Sequence, residues 1–431
     1  MKETAIVPLS IMAFVFIIFL SGGCDIGITG PDQVDKPIPV SGVSLDRTNL
    51  YLPEGSSRQL KAVVFPEDAT DKSVNWNSSN KNVVTVDDYG NITAHAAGPA
   101  LITVTTNEGG YYAECDVAVS ETASGDYIIA DHMSVDAYED IPQEYIDIVK
   151  TWLVDAAGQS HSEAYRTGLL DLEKLDDVFE ATTYYGVFPA PTGEELRVGR
   201  HDSVGEEEFW TNGTAISTIK DLIADQHDAG NPIHVIFQAW CWDLTWDEGP
   251  AEGGTDSYDP VYGCHWFGGS EEGPDGNHIW GIDDDDYELT GNTVSLQTYL
   301  DTIEEYNAFC QNNGYITKAI FSTGPVDGDA DDGERGYQRW VKHEVIRDFV
   351  REGNDRVLFD YADILAYNDA GERHMEDWTS PETSETYEFP AIHSNNDAED
   401  TGHISNAGAL RLAKAQWWLY ARMAGWDGNP E

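Results

Sequence analysis

Asp400-Thr401-Gly402-His403 sets a carboxylate three residues before an imidazole, directly ahead of a segment rich in Ala, Leu and Trp. Some 240 residues upstream stands Gly158-Gln159-Ser160-His161-Ser162. A serine hydroxyl is a poor nucleophile at its own pKa. It needs an imidazole within hydrogen-bond reach and a carboxylate to orient that imidazole. The two segments suggest a serine hydrolase whose nucleophile comes first and whose base comes last. Only the fold can bring them together. Ser162 stands two residues after Ser160 and is the alternative nucleophile. Both serines also suit helix capping, and Asp400 with His403 equally suits the start of a helix over Ala407 to Met423.

The pattern resembles the SGNH (GDSL-like) hydrolase superfamily, with a first block Gly-x-Ser after a parallel strand and a last block Asp-x-x-His before the terminal helix. The resemblance covers roughly residues 126 to 428. It implies Ser160 as nucleophile, His403 as general base and Asp400 as its orienting partner, with no organic cofactor. Gly158-Gln159-Ser160 looks like the variant in sialate O-acetylesterase-type relatives. The tail Trp417-Trp418-Leu419-Tyr420-Ala421-Arg422-Met423-Ala424-Gly425-Trp426 looks like a group of secreted bacterial SGNH-like domains. Family members draw oxyanion donors from a second-block glycine and from an asparagine in a Gly-x-Asn block. This sequence has no clean Gly-x-Asn-Asp. The resemblance leaves Gln238 as the substitute amide, Gly199 or Gly205 as the glycine, and the backbone N–H at Ser160.

The N-terminus carries an address. Lys2 precedes an apolar run from Ala5 to Leu20, short for a membrane span of ~20 residues but suited to a signal-peptide core. The run ends in Leu20-Ser21-Gly22-Gly23-Cys24, which resembles a bacterial lipoprotein cleavage site and makes Cys24 the lipidated residue. Residues 1–23 are thus expected to be a lipoprotein signal peptide, and 24–39 a tether rich in Gly, Pro and Asp. The protein is expected to be exported and lipid-anchored to a bacterial membrane, at the cell surface or in the periplasm. An uncleaved anchor helix is the alternative.

Between residues 40 and 121, short alternating or β-branched runs separated by turn residues argue for an all-β sandwich. Val74-Asn75-Trp76-Asn77-Ser78-Ser79-Asn80, Val83-Val84-Thr85-Val86 and Gly90-Asn91-Ile92 resemble a group 2 bacterial immunoglobulin-like domain, a spacer or adhesive module. From residue 126 to 428 helical and strand patterns alternate. Helical runs at Pro142 to Trp152, Ala215 to Gln226, Leu296 to Asn312 and Trp340 to Glu352 interleave with strands near residues 153–157, 232–239, 317–323 and 356–361. The expectation is a multidomain chain, an all-β sandwich followed by a three-layer α/β domain with a mostly parallel sheet. Sites in such sheets lie beyond the carboxyl ends of the strands. Ser160, Asp131-His132, Gln238 to Asp243 and Thr323-Gly324 fall at such ends, which makes His132 and His161 cleft candidates.

The loops from Trp240 to Trp280 hold many aromatic residues. Trp240, Trp242 and Trp266 either stack on sugar rings in a cleft or form the loop's own small core. With 78 acidic against 24 basic residues the net charge is −54, which disfavours nucleic acid and anionic lipid as partners. Contact with a membrane is then expected through the lipid anchor alone, and the partner is a glycan or other ester substrate. Oligomeric state is not legible. Two acidic runs, Asp283 to Asp286 and the alternate acids Asp327, Asp329 and Asp331, are weak candidates for structural Ca²⁺. The second run has its glycine one place late and Gln338 where an EF-hand has its last acid, so solvated loops are the simpler reading. Of five cysteines, Cys241 and Cys264 are the pair to test for a disulfide, with Cys310 the alternative partner and Cys115 a lone thiol.

Overall fold

The computed structural model describes residues 37–45, 48–53, 57–96, 98–120, 127–158, 160–200, 208–240, 257–268, 279–326, 333–398, 400–401 and 403–429. Among the described residues nine strands come first: β1 (Gly42–Leu45), β2 (Asn49–Pro53), β3 (Ser57–Gln59), β4 (Ala62–Phe65), β5 (Val74–Ser78), β6 (Val84–Val86), β7 (Asn91–Ala94), β8 (Gly98–Thr106) and β9 (Tyr112–Ser120). They form sheets of order β2-β9-β8-β5 and β3-β7-β6, with β1 paired to β4. In β8 every second residue from Ala100 to Thr106 is buried, the period-2 burial of a strand with one face on a core. Ile102, Cys115, Val84 and Ile92 fill that core, and Trp76 packs against it. Gly90 admits the indole, because a Cβ there would stand 2.9 Å from the Trp76 ring and 2.4 Å from the Leu60 carbonyl oxygen.

The second region begins with β10 (Ile128–Ala130), α1 (His132–Ala137), α2 (Gln143–Val149), β11 (Leu153–Ala157), α3 (His161–Leu175), β12 (Ala181–Tyr185) and β13 (Leu196–Arg200). It continues through α4 (Glu208–Thr211), α5 (Gly213–Asp228), β14 (Val235–Gln238), β15 (Tyr258–Asp259), β16 (Cys264–His265), α6 (Tyr287–Thr290) and α7 (Leu296–Asn313). It closes with β17 (Lys318–Ala319), β18 (Phe321–Ser322), α8 (Gly333–Glu352), β19 (Val357–Phe359), α9 (Tyr361–Ala366), β20 (Met375–Thr379), β21 (Thr386–Pro390) and α10 (Asn406–Met423). Two parallel sheets, β12-β13-β11-β14-β17 and β18-β19-β10, join through Ile320, which donates its N–H to Ile236 O at 3.0 Å.

Burial on both faces follows from the strand sequences. Along β11 Val154 and Ala156 enter one core while Leu153 and Ala157 enter the other. The first core is covered by α3, α9 and α10, the second by α5, α7 and α8. This is the three-layer arrangement that alternating strands and helices produce. Strand order reverses at β11. Its partner β13 follows it on one side, and β14, β17/β18 and β19 succeed one another on the other. In open α/β sheets a crevice forms outside the strand ends at such a reversal. Gly158 lies there with φ +120°, and a Cβ on it would stand 2.2 Å from the Ala239 carbonyl oxygen, so only glycine lets the chain leave β11 beside β14.

Two expectations fall here. Pro142 caps α2, but that helix ends at Val149 and Trp152 precedes the next strand. Cys264 and Cys310 are buried thiols and are not bridged, and Cys115 is buried in the core of the sandwich. Cys241 lies outside the described residues, as do Cys24, Gly205, Trp242, Asp327, Asp329 and Asp331. Among the described residues no helix is long and apolar enough to cross a membrane.

Candidate functional site

Ser160 occupies the turn between β11 and α3, half-buried, with helical backbone angles of φ −59° and ψ −46°. It starts α3 by accepting the N–H of Glu163 at 3.0 Å. The next residue, His161, is buried, and its ring centroid lies 5.0 Å from that of His403. Thr401 Oγ1 and Thr167 Oγ1 are 3.2 Å apart, a hydrogen bond between the Asp-x-x-His turn and α3. The separate segments therefore meet. Helix packing draws them together. A Cβ on Gly168 would stand 1.9 Å from Ala409 O, so the bare α-carbon lets α10 close on α3.

His403 has φ +64°, a left-handed conformation uncommon outside glycine though enriched for histidine. Thr401 and Ile404 hold it there by exchanging N–H···O bonds of 3.1 and 3.2 Å. Such strain persists only where the surroundings fix it, and it concentrates at functional sites. Asp400 is exposed and accepts the N–H of Asn406 at 3.3 Å, so its carboxylate serves the start of α10 in this structure. Ser405 is the N-cap, accepting the N–H of Gly408 at 3.0 Å. Ser162 is fully buried. Its hydroxyl donates to Gly158 O at 3.0 Å and accepts from Arg166 Nη1 at 3.1 Å, a structural use that removes it as nucleophile.

The oxyanion candidates separate by register. Gly199 pairs with Asp155 and Tyr184 inside the sheet. Asp155 precedes Gly158 by three residues, so Gly199 lies about 10 Å below the turn. Its missing side chain instead makes room for Tyr184, whose backbone oxygen would stand 2.2 Å from a Cβ. That corrects Gly199 as an oxyanion donor. Gln238 pairs with Ala157, at the level of the turn. Its amide is fully buried, and among the described residues neither Nε2 nor Oε1 has a hydrogen-bond partner.

The tryptophans also need correction. Trp240 and Trp266 are buried in the second core with Trp210 and Trp280. Trp240 Nε1 donates to Ser322 O at 2.8 Å and Trp266 Nε1 to Asp259 Oδ2 at 3.2 Å. Their faces are spent on the protein, not offered to a sugar. A loop of this length needs its own apolar core, and that demand took the aromatics.

One cluster was half-seen in the sequence. His132, the first residue of α1, bonds through Nδ1 to Asp363 of α9, and its ring stacks on Tyr367 at 3.6 Å. Asp131 caps α1 by accepting the N–H of Met133 at 3.0 Å. Burial, with repulsion from Asp363 and Asp360, outweighs the pull of His132 and pushes the Asp131 carboxyl up to about 6. Burial works against the His132 imidazolium, but Asp363 beside it raises its pKa nonetheless. Burial likewise opposes the Asp363 carboxylate, yet His132 and Arg347 hold it below its usual range. The ligand atoms of Asp131, His132 and Asp363 lie within 4.8 Å of one another, a set able to hold a divalent cation. No sequence spacing links Asp363 to residue 132.

Asp283 to Asp286 starts a helix. Asp283 accepts from Asp285 N–H at 2.9 Å, and Asp286 turns back onto the N–H of Ile282. The acids there cap backbone.

The sequence model for the bacterial Ig-like domain (group 2) matches residues 39–117. The N-terminal sandwich is a domain of that kind. The chain is 45% identical over 87 residues to an uncharacterized protein of Clostridium acetobutylicum, covering 20% of this chain and 22% of that protein. It is 36% identical over 111 residues to an alpha-L-arabinofuranosidase of Bifidobacterium longum subsp. longum, covering 24% of this chain and 10% of that enzyme. Among solved structures it is similar to the S-layer protein rSbsC at 18% identity, with a TM-score of 0.17, covering 20% of this chain and 13% of that one. The chain thus spans under a quarter of the length of these relatives. Their likeness is that of the Ig-like domain and does not reach the α/β domain's chemistry.

Proposed function

We propose that the α/β domain is a serine ester hydrolase of the SGNH type, acting on acylated carbohydrate. The observation that carries this reading is the meeting of His403 with the Ser160 turn, 5.0 Å between the rings of His403 and His161, at the reversal of strand order. Ser160 Oγ attacks the acyl carbon while His403 takes its proton. The imidazolium then returns that proton to the leaving alcohol. Water, deprotonated by the same imidazole, splits the acyl-enzyme to acid and free serine. Asp400 orients the imidazole by turning from Asn406 N–H to the ring three residues on. Backbone N–H groups at the start of α3, with the buried Gln238 amide, receive the oxyanion. What supports carbohydrate is company: one relative carrying a similar Ig-like domain is named as an arabinofuranosidase. Export and a lipid anchor at Cys24 belong to the same reading, with the Ig-like domain as spacer.

A second reading, a non-catalytic surface protein binding glycan or a neighbouring protein, is favoured by the capping role of Asp400. A fluorophosphonate probe separates the two, since it labels only an activated serine. We expect a single label on Ser160, and loss of both label and hydrolysis of 4-nitrophenyl acetate in Ser160→Ala with the fold intact. Absence of labelling on folded wild type, together with glycan binding, would sink the hydrolase in favour of the binder.

A further inference from the structure

Tyr185 is the last residue of β12, and its side chain is 60% exposed. A single exposed aromatic residue is ordinary on a protein surface. This one is held in place. Arg200, its register partner at the end of β13, donates to Tyr185 Oη and sets its guanidinium carbon over the ring, 4.6 Å from the centroid. The next residue, Gly186, donates its N–H to Arg200 O at 2.8 Å. Phe188 lies against the second core, its ring 5.3 Å from that of Tyr184. The chain is therefore pinned on both sides of the exposed ring. With one face under Arg200, the exposed surface belongs to the other face and the edge. Val187, two residues on, is exposed as well.

The same guanidinium ties this ring to the candidate site. Arg200 also donates to Gly158 O, in the turn that carries Ser160. Two acceptors sharing one guanidinium stand within about 8 Å of each other, since each hydrogen bond spans ~3 Å. A short oligosaccharide bridges that distance. The face of an aromatic ring is negative, and the C–H bonds on the face of a pyranose are partly positive, so the two stack. A ring already immobilised loses little freedom when a ligand settles on it, which is how a preorganised surface gains affinity. Stacking needs no charge, and a net charge of −54 repels acidic glycans, so a neutral sugar is the class that fits. Trp240 and Trp266 do not compete for this role, being buried in the second core.

We propose that Tyr185, fixed by Arg200, is a stacking platform for a neutral pyranose of the glycan whose ester is cleaved at Ser160. The inference rests on the ester-hydrolase reading for the position of the cleaved bond, though not for the binding of the sugar. The stacked residue adjoins the one that bears the acyl group.

The test has a binding arm and a kinetic arm. In the first, the full chain is titrated calorimetrically with xylotriose, mannotriose and cellotriose. At least one should bind wild type, with an affinity that falls at least ten-fold in Tyr185→Ala. The loss should be smaller in Tyr185→Phe, which keeps the ring and gives up only the bond from Arg200. In the second arm, kcat/KM on the acetylated polymer of the bound sugar is divided by kcat/KM on 4-nitrophenyl acetate. That ratio should fall at least ten-fold in Tyr185→Ala, chiefly through KM. Wild type that binds none of the three sugars overturns the platform, as does an affinity or a ratio that Tyr185→Ala leaves unchanged. An acetylated polymer left uncleaved while 4-nitrophenyl acetate is hydrolysed overturns it too. Sugar binding that depends on Tyr185, without hydrolysis of any ester, would keep the platform and discard the hydrolase.

Discussion

Lys342 is a buried amine, and the contacts it makes among the described residues are neutral. Its Nζ donates to Phe267 O at 2.7 Å and lies 5.5 Å from the Trp266 ring centroid. Burial brings its pKa down to about 7, against attraction from Cys264 and Asp286. The unfolded chain keeps that proton up to its ordinary pKa of 10.5, so between pH 7 and 10.5 the unfolded state binds more protons. Stability therefore rises with pH across that window. Above pH 9 the buried thiols of Cys264 and Cys310 oppose the trend, since their raised pKa values make the unfolded thiols ionise first. The interval to compare is pH 7 to 9, where the raised pKa of His132 also opposes the trend but is common to wild type and variant. Urea midpoints at pH 7, 8 and 9 should climb in wild type and flatten in Lys342→Met, which fills the same space without the charge. Equal slopes in the two proteins would place the pH dependence elsewhere.

At the scale of elements, the contact of α3 with α10 decides whether a site exists. Gly168 faces Ala409 and Ala413 with no room for a methyl group. Gly168→Ala must push the helices apart, a cost of about 1–3 kcal/mol for overpacking. The same displacement moves the Thr401–Ile404 turn, and with it His403, away from Ser160. Gly213→Ala, where nothing lies within 4 Å, is the matched control. Thermal midpoint and ester hydrolysis should fall together in the first variant and stay near wild type in the second. A fall in midpoint with hydrolysis untouched would show that the helix contact supports the fold without positioning the imidazole.

For the whole molecule the governing number is the net charge of −54. Like charges spread over a surface repel over ~30 Å at 0.01 M salt and over ~3 Å at 1 M. Repulsion of this sort destabilises the compact state. The thermal midpoint should thus rise with NaCl through the molar range. A rise produced entirely by millimolar Ca²⁺, with NaCl inert, would instead assign the effect to specific carboxylate sites such as the Asp131, His132 and Asp363 cluster. A midpoint indifferent to both would separate net charge from stability here.

Some of this could be read from residues alone, because the signals are local. The Ig-like domain announced itself in the spacing of Val74 to Ile92, since a strand's period-2 burial is written into consecutive residues. Alternating helix and strand patterns gave the α/β region, and a glycine before Ser160 marked a turn. Register was not legible. Whether Gly199 or Gln238 lies level with Ala157 depends on how separate strands slide against one another, which no spacing records. Burial of Trp240 and Trp266 was equally hidden, since an aromatic residue suits a cleft and a core by the same chemistry. The partner of His132, Asp363, comes from a segment remote in the chain. Which charges face each other is set by packing across the sheet and between helices, and so only the tertiary structure could decide it.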